Sequence, residues 1–349
     1  MQTTSTTALS TSWLGVDVSA RTFDACLCPP DVDPTSAAQL HKLRVCHFER
    51  TPGGAAQLVT KYAGRLPMHI VMEATGRYSS QLAAWICDAD PHAQVCIVHA
   101  RRVRNHAKAL GLRSKTDRAD ARLIASYGAK FAPAAYHPPE SDQLTLRTLM
   151  RTRHGLVEQQ TALTNQRADL ARANGLDSDC AVTLDQALSD LIDDFQQKVA
   201  DIDKALNDLK LRNLQLRSDL ELIDNIPGIG PITGPTILGE LGDIRRFAKR
   251  RQMETFVGLD IRRHQSGTSR DLALGLTREG AAGVRWALYL AAMAASKTRT
   301  ALGDRYRQML ARNKPKKVAL GALMRKILSI IRAVIINGNP YDDKLARQR

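Results

Sequence analysis

The chain opens with three short runs in which apolar residues alternate with polar ones or follow each other directly: Trp13 to Val18, Thr22 to Leu27 and Leu43 to Phe48. A tight turn separates the first two and a Pro/Asp-rich stretch the last two, so the pattern predicts an antiparallel meander. The pattern then alternates in kind. Thr51 to Ala63 reads as a capped helix, His69 to Ala74 as a buried strand, Tyr78 to Ala89 as a helix and Gln94 to His99 as a strand. Arg101 to Leu110 follows as a basic helix and Asp117 to Lys130 as another.

The order β-β-β-α-β-α-β-α is the chain order of a ribonuclease-H-like domain, although periodicity alone does not separate it from other mixed α/β folds. The proline-rich stretch Ala132 to Glu140 marks a boundary. Beyond it Leu149, Leu156, Leu163 and Leu170 fall seven apart, and Leu184, Leu188, Leu191, Phe195, Val199, Ile202, Leu206 and Leu209 recur at threes and fours. Two long helices are predicted, joined near Asn174 to Asp179. With Arg153, Gln160 and Arg167 interleaved, the first seam is narrow; it suits a self-associating coiled coil, or a hairpin packed within one chain. From Glu221 onward the chain reads as helical, basic and punctuated by glycine. The fold class is therefore α/β plus all-α. A tail (1–12) precedes a mixed-sheet domain (13–135), a coiled-coil insert (140–220) and a basic helical domain (221–349).

Charge sharpens the picture. Of the formal net charge of +15 over 349 residues, Arg245 to Arg349 holds 24 Lys/Arg against 7 Asp/Glu, and the rest of the chain is close to neutral. Such one-sidedness points to a polyanion, because cations gain free energy by displacing counterions condensed on phosphates. The six cysteines lack the spacing of a zinc site and read as small core residues. The Ser/Thr-rich start lacks the pattern of a signal peptide, and the apolar run Trp286 to Ala295 is too short to cross a membrane. A cytoplasmic protein is expected.

Asp17 interrupts the apolar strand Leu14-Gly15-Val16-Asp17-Val18, and Glu73 ends the run His69-Ile70-Val71-Met72. Carboxylates in such strands are costly unless something binds them. Asp117 and Asp120, three apart at a helix start, share one side of it and are placed to complete a cluster. Four oxygen-donor side chains suit a hard ion such as Mg²⁺, or Mn²⁺. Each acid also has a plainer role: Asp117 is suited to capping its helix, and Asp120 to pairing with Arg113 or Arg122. Arg113, Lys115 and Arg118 surround the helical pair with cations that would steer phosphate. Ile226-Pro227-Gly228-Ile229-Gly230-Pro231-Ile232-Thr233 has the form of a helix-hairpin-helix turn, in which Gly228 and Gly230 let backbone amides approach a phosphate; an ordinary helix–helix turn has the same composition. Ser266 stands in a hydroxyl-rich segment among Arg262, Arg263 and Arg270, which on residues alone suits a DNA-contacting loop as well as a nucleophile.

Taken in order, Gly15-Val16-Asp17, Met72 to Tyr78, Lys115 to Arg122, Ile226 to Gly230, and Gly258-Leu259 through Ser266-Gly267 resemble the transposases of the bacterial insertion-sequence one-ten family. The resemblance implies a RuvC-like domain whose Asp-Glu-Asp-Asp tetrad falls on Asp17, Glu73, Asp117 and Asp120. It also implies a C-terminal domain whose nucleophilic serine falls on Ser266, with Thr268 and Ser269 as neighbours should the register differ. The departure is Arg270-Asp271, where relatives continue with more glycine. Strand exchange through a 5′-phosphoserine link, donor and target DNA, a structured guide RNA and a homo-oligomer are what the resemblance leads one to expect. Two other classes fit the residues: a RuvC-like nuclease or resolvase that activates water, and a non-enzymatic helix-hairpin-helix DNA-binding protein.

Overall fold

The computed structural model describes residues 11–63, 68–111, 117–136, 140–172, 177–266, 270–277 and 280–347; for residues 68, 117–119, 262–266, 270–274, 345 and 347 it describes the backbone alone. The chain divides into two compact units, Met1–Pro138 and Pro139–Arg349.

In the first unit the elements are β1 (Ser12–Val18), β2 (Thr22–Cys28), α1 (Ala37–Lys42), β3 (Val45–Glu49), α2 (Pro52–Tyr62), β4 (Met68–Glu73), α3 (Arg77–Ala89), β5 (Gln94–Val98), α4 (Ala100–Ala109) and α5 (Asp117–Phe131). They build a five-stranded sheet of order β3-β2-β1-β4-β5. The first three strands form the expected antiparallel meander, and β4 and β5 run parallel to β1. This is the mixed sheet of a RuvC-like fold. On one face Leu14, Val16, Ile70 and Met72 pack under Leu58, Leu82 and Ile86 of α2 and α3. On the other, Trp13, Val71, Cys96 and Val98 pack under Val103 of α4 and Leu123, Ile124 and Tyr127 of α5. Cys26, Cys28, Cys46 and Cys96 are buried thiols, with burial pushing Cys26 up to about 12 and Cys96 up to about 11, which suits core residues. Helix α1, capped by Ser36, was not predicted inside the Pro/Asp-rich stretch; its six residues are too short for a period to show.

The second unit comprises α6 (Ser141–Leu170), α7 (Ser178–Arg212), α8 (Leu214–Asp224), α9 (Thr233–Leu241), α10 (Arg250–Val257), β6 (Ile261–Ser266), β7 (Arg270–Leu276), α11 (Ala282–Ser296), α12 (Ala301–Ala311), α13 (Lys316–Asn337) and α14 (Asp343–Arg347). Helices α6 and α7 lie antiparallel within the chain. Arg153 and Asp203, and Arg167 and Asp185, bond across them in bidentate pairs. Arg153 and Arg167, two of the polar positions that narrowed the seam in the sequence, are thus partnered inside one chain. Near the closed core, Leu146 and Met150 of α6 and Leu206 and Leu209 of α7 join one cluster with Ile223, Ile237, Ala291 and Ile331.

The chain is not wholly helical after Glu221, as the sequence reading had it. β6 and β7 form a two-stranded antiparallel ribbon, and Leu272, Leu274 and Leu276 carry the period-two signal that shows it. No helix among the described residues is long and apolar enough to cross a membrane.

Candidate active site

Asp17 is the penultimate residue of β1, one beyond its last rung with β4, Val16–Met72, and Glu73 is the next residue of β4. The two acids are therefore level on neighbouring parallel strands. Residues level on paired strands share a face, and alternation puts Asp17 with Trp13 and Gly15, and Glu73 with Val71. That is the face covered by α5. The direction of α5 follows from its contacts: a side chain at Gly128 would meet Trp13 and Val71, and one at Gly15 would meet the backbone of Ala121 and Ala125. The helix thus runs antiparallel to β1. From Gly15 to Asp17 the strand advances about 6.6 Å, or roughly four helical residues, which brings helix positions 117–120 level with Asp17. The fold delivers two strand ends and the first turn of one helix to a single edge of the sheet.

Two acids are described there on the strands, and Asp120 is a half-buried residue of the α5 first turn. The side chains of Asp117 and Arg118, and all of Arg113 and Lys115, lie outside the described residues. Among the described residues, no three His, Cys, Asp or Glu side chains form a group ready to hold one ion. Arg122, considered from sequence as a partner for Asp120, instead donates to the Leu43 carbonyl at 2.9 Å.

Sequence reasoning missed one neighbour. Asp24 of β2 is the cross-strand partner of Asp17, and His47 of β3 is the partner of Asp24. His47 Nδ1 and Asp24 Oδ1 are 2.6 Å apart. A polar row therefore crosses the sheet from His47 through Asp24 and Asp17 to Glu73. The signal was available, since Asp24 also interrupts an apolar run, Phe23-Asp24-Ala25-Cys26.

Rather than lying in an open loop, Ser266 is the last residue of β6, paired with Arg270 at the tip of the ribbon. Thr268 and Ser269 lie outside the described residues, as do the side chains of Ser266, Arg262, Arg263 and Arg270. The ribbon's base is held where Leu276 packs on the core and the Thr277 amide donates to the Asp260 carbonyl. Five strand steps of about 3.3 Å carry Ser266 roughly 17 Å from Ile261.

At the glycine-rich turn the two glycines part company. Gly228 has φ 91° and lies against the backbone of Ala291, so a methyl group there has no room; the space beside Gly230 is open. Packing against α11 is enough to require the first glycine. Several cations of the basic third are also used by the fold. Arg245 makes a bidentate bond to Asp219, which raises its pKa further, Arg246 stacks on Phe247 and Phe256, and Arg332 donates to the carbonyls of Phe247 and Ala248.

A RuvC-like sheet with carboxylates at the ends of two adjacent parallel strands defines a class of nucleic-acid-processing domains. The comparisons with known proteins identify which. A DEDD-type transposase model of the IS110 kind matches residues 14–172, and a second model, described as transposase IS116/IS110/IS902 family, matches residues 220–307. The chain belongs to the IS110 family of transposases and recombinases. It is 28% identical over 342 residues to the pilin gene-inverting proteins of Moraxella bovis and Moraxella lacunata, spanning 97% of this chain and 99% of each relative. It is 24% identical over 286 residues to the transposase for insertion sequence element IS1111A of Coxiella burnetii, spanning 76% of this chain and 73% of that one.

Proposed function

We propose that this protein cuts and rejoins DNA as the recombinase of an insertion sequence, with Ser266 as nucleophile and Asp17, Glu73, Asp117 and Asp120 as ligands for Mg²⁺ or Mn²⁺. The observation that carries the reading is the level placement of Asp17 and Glu73 beside the first turn of α5. The donor set fits the ion, being entirely carboxylate. When bound, the ion would supply Lewis-acid stabilisation of charge at the scissile phosphate. The Ser266 hydroxyl attacks phosphorus and loses its proton to solvent. The bond from phosphorus to the 3′-oxygen breaks as the phosphoserine bond forms, and the leaving 3′-oxygen takes up a proton. Rejoining is the same exchange reversed with another 3′-hydroxyl, so the bond energy is kept and no nucleoside triphosphate is consumed. Guanidiniums at Arg262, Arg263 and Arg270 would hold the phosphodiester.

The acids and the serine belong to separate units. We read the working centre as composed from more than one copy of the chain. The outer half of the α6–α7 hairpin supports this: Leu163, Leu170, Leu188 and Phe195 are only half-buried there, and Leu184 and Leu191 are exposed, leaving apolar surface for a second copy. A structured guide RNA paired to donor and target DNA completes the reading; with 5% aromatic residues, the chain suits contact to backbones better than base stacking.

The test is to incubate the full-length protein with Mg²⁺, guide RNA and DNA and to look for a protein–DNA adduct that survives denaturation. Ser266→Ala removes it. Asp17→Asn or Glu73→Gln lowers its rate at least about 100-fold, the scale of several kcal/mol of lost transition-state stabilisation, while DNA binding persists. DNA cut by the wild type with no adduct at any time would replace this mechanism with water attack by a RuvC-like nuclease.

A further inference from the structure

The recombination chemistry above gives helix α4 no task. Its ten residues, Ala-Arg-Arg-Val-Arg-Asn-His-Ala-Lys-Ala, contain four cations and no acid. The contrast with the rest of the unit is sharp: residues 1–100 carry seven Lys/Arg against eight Asp/Glu, and residues 101–130 carry nine against two. The net positive charge of this unit is thus confined to α4, α5 and the segment between them.

The way α4 packs decides where that charge goes. Val103 and His106 are buried against α5, with the His106 ring 2.7 Å from the Ser126 hydroxyl, and Ser126 donates to the Pro34 carbonyl at 2.6 Å. With that face anchored, helical spacing of 100° per residue turns Arg101, Arg104 and Lys108 to the opposite side, while Arg102 lies on the flank, nearer the buried side. All four are exposed. Among the described residues Arg102, Arg104 and Lys108 form no ion pair, unlike the arginines of the second unit that the fold consumes.

The origin of α4 is as informative as its face. Glu73 is level with Val98 of β5, and α4 begins two residues later, its first turn capped by the His99 ring accepting from the Arg101 amide. Paired strands are about 4.8 Å apart, so the basic helix starts beside the carboxylate edge and leads away from it. Carboxylates repel a phosphodiester, and a polyanion passing over Asp17 and Glu73 needs cations on its path.

We propose that the exposed face of α4 is the seat of the DNA strand that crosses the carboxylate edge, with Arg104 and Lys108 contacting its phosphates. This rests on the reading of that edge as the site of DNA chemistry and names the protein surface that presents the strand to it. The contacts are to the backbone, so they set affinity and register and carry no sequence information.

The test uses full-length protein and a fluorescent duplex DNA fragment, with affinity followed by anisotropy over a range of NaCl concentrations. In Arg104→Gln/Lys108→Gln the slope of log affinity against log salt becomes shallower by up to about 1.8, or about 0.9 for each phosphate no longer neutralised, and affinity falls by at least about tenfold at low salt. Lys108→Gln alone reduces the slope by about one unit. Arg104→Lys keeps the wild-type slope, because charge is what counts. All substituted residues are exposed, and unchanged far-ultraviolet circular dichroism confirms the fold. An unchanged slope and affinity in the double variant overturns the proposal. So does weaker binding to a structured RNA with binding to DNA unaltered, which would make α4 an RNA surface. Asp17→Asn separates the two readings: if the edge is not the site of chemistry, adduct formation is unaffected by Asp17→Asn whatever α4 does to DNA affinity.

Discussion

Gly15 and Ala121 are in backbone contact: a methyl group on Gly15 would overlap the Ala121 carbonyl, so α5 lies on β1 with nothing between them. That contact sets the height of α5 and so the level at which its first turn meets Asp17 and Glu73. Gly15→Ala is expected to push the helix off the strand, destabilising the first unit by about 2 kcal/mol. Adduct formation should fall by more than the loss of folded protein accounts for. Thermal unfolding and adduct assays on the same sample check this, and an unaltered midpoint would show that α5 does not depend on the contact.

The two glycines of the helix–helix turn respond differently. Gly228→Ala meets the Ala291 carbonyl and takes on a strained φ, so it should destabilise the second unit by about 2 kcal/mol or more, on the order of an overpacked site. Gly230→Ala faces open space and should unfold within about a degree of wild type. If the turn contacts phosphate, Gly230→Ala lowers DNA affinity with the fold intact; equal affinity assigns the turn to packing alone.

His106 makes the first unit sensitive to acid. Burial, reinforced by the charge of Lys130, holds its pKa below the ordinary 6.5. The unfolded chain therefore takes up the proton first. The stabilisation from keeping His106 neutral is complete above about pH 6.5 and is lost as the pH falls toward the lowered value. Denaturant unfolding of wild type and His106→Gln from pH 7.5 to 5 should show a gap that narrows on acidification, since glutamine has no charge to acquire. A constant gap would mean that His106 titrates alike in both states.

Arg153 and Asp203 test the helical hairpin. The Arg153 side chain is 18% exposed, so Asp203→Ala leaves a largely enclosed guanidinium without its bidentate partner. A loss of about 1–3 kcal/mol is expected, concentrated in the hairpin. Hydrogen exchange should accelerate along α6 and α7 while α11 and α13 keep their protection.

Much of the candidate site was legible before any coordinate. Asp17 and Glu73 stand out because a charge in an apolar strand asks for an explanation, and their strands were placed to within two residues at either end. Asp24 has the same signature and was missed because its strand alternates less cleanly. The ribbon carrying Ser266 was hidden by the run of polar residues in β6, although the leucines of β7 show it. The arginines were read together as a basic surface, and sequence offers no means of telling one that binds a carbonyl from one that faces solvent.

Local order came from the chain itself: the three-strand meander, the alternation of helices and strands after it, and the two long helices follow from periods of two and about 3.6 in the side chains, which need no knowledge of neighbours. Tertiary structure decided everything that depends on two distant segments meeting. It made β1 and β4 adjacent, so that residues 17 and 73 came level, turned α5 to bring its first residues to the same edge, folded the leucine seam onto the same chain, and assigned Arg245 to Asp219. Strand pairing and helix packing are set by surfaces that different parts of the chain offer each other, and no single stretch of sequence contains both sides of such a contact.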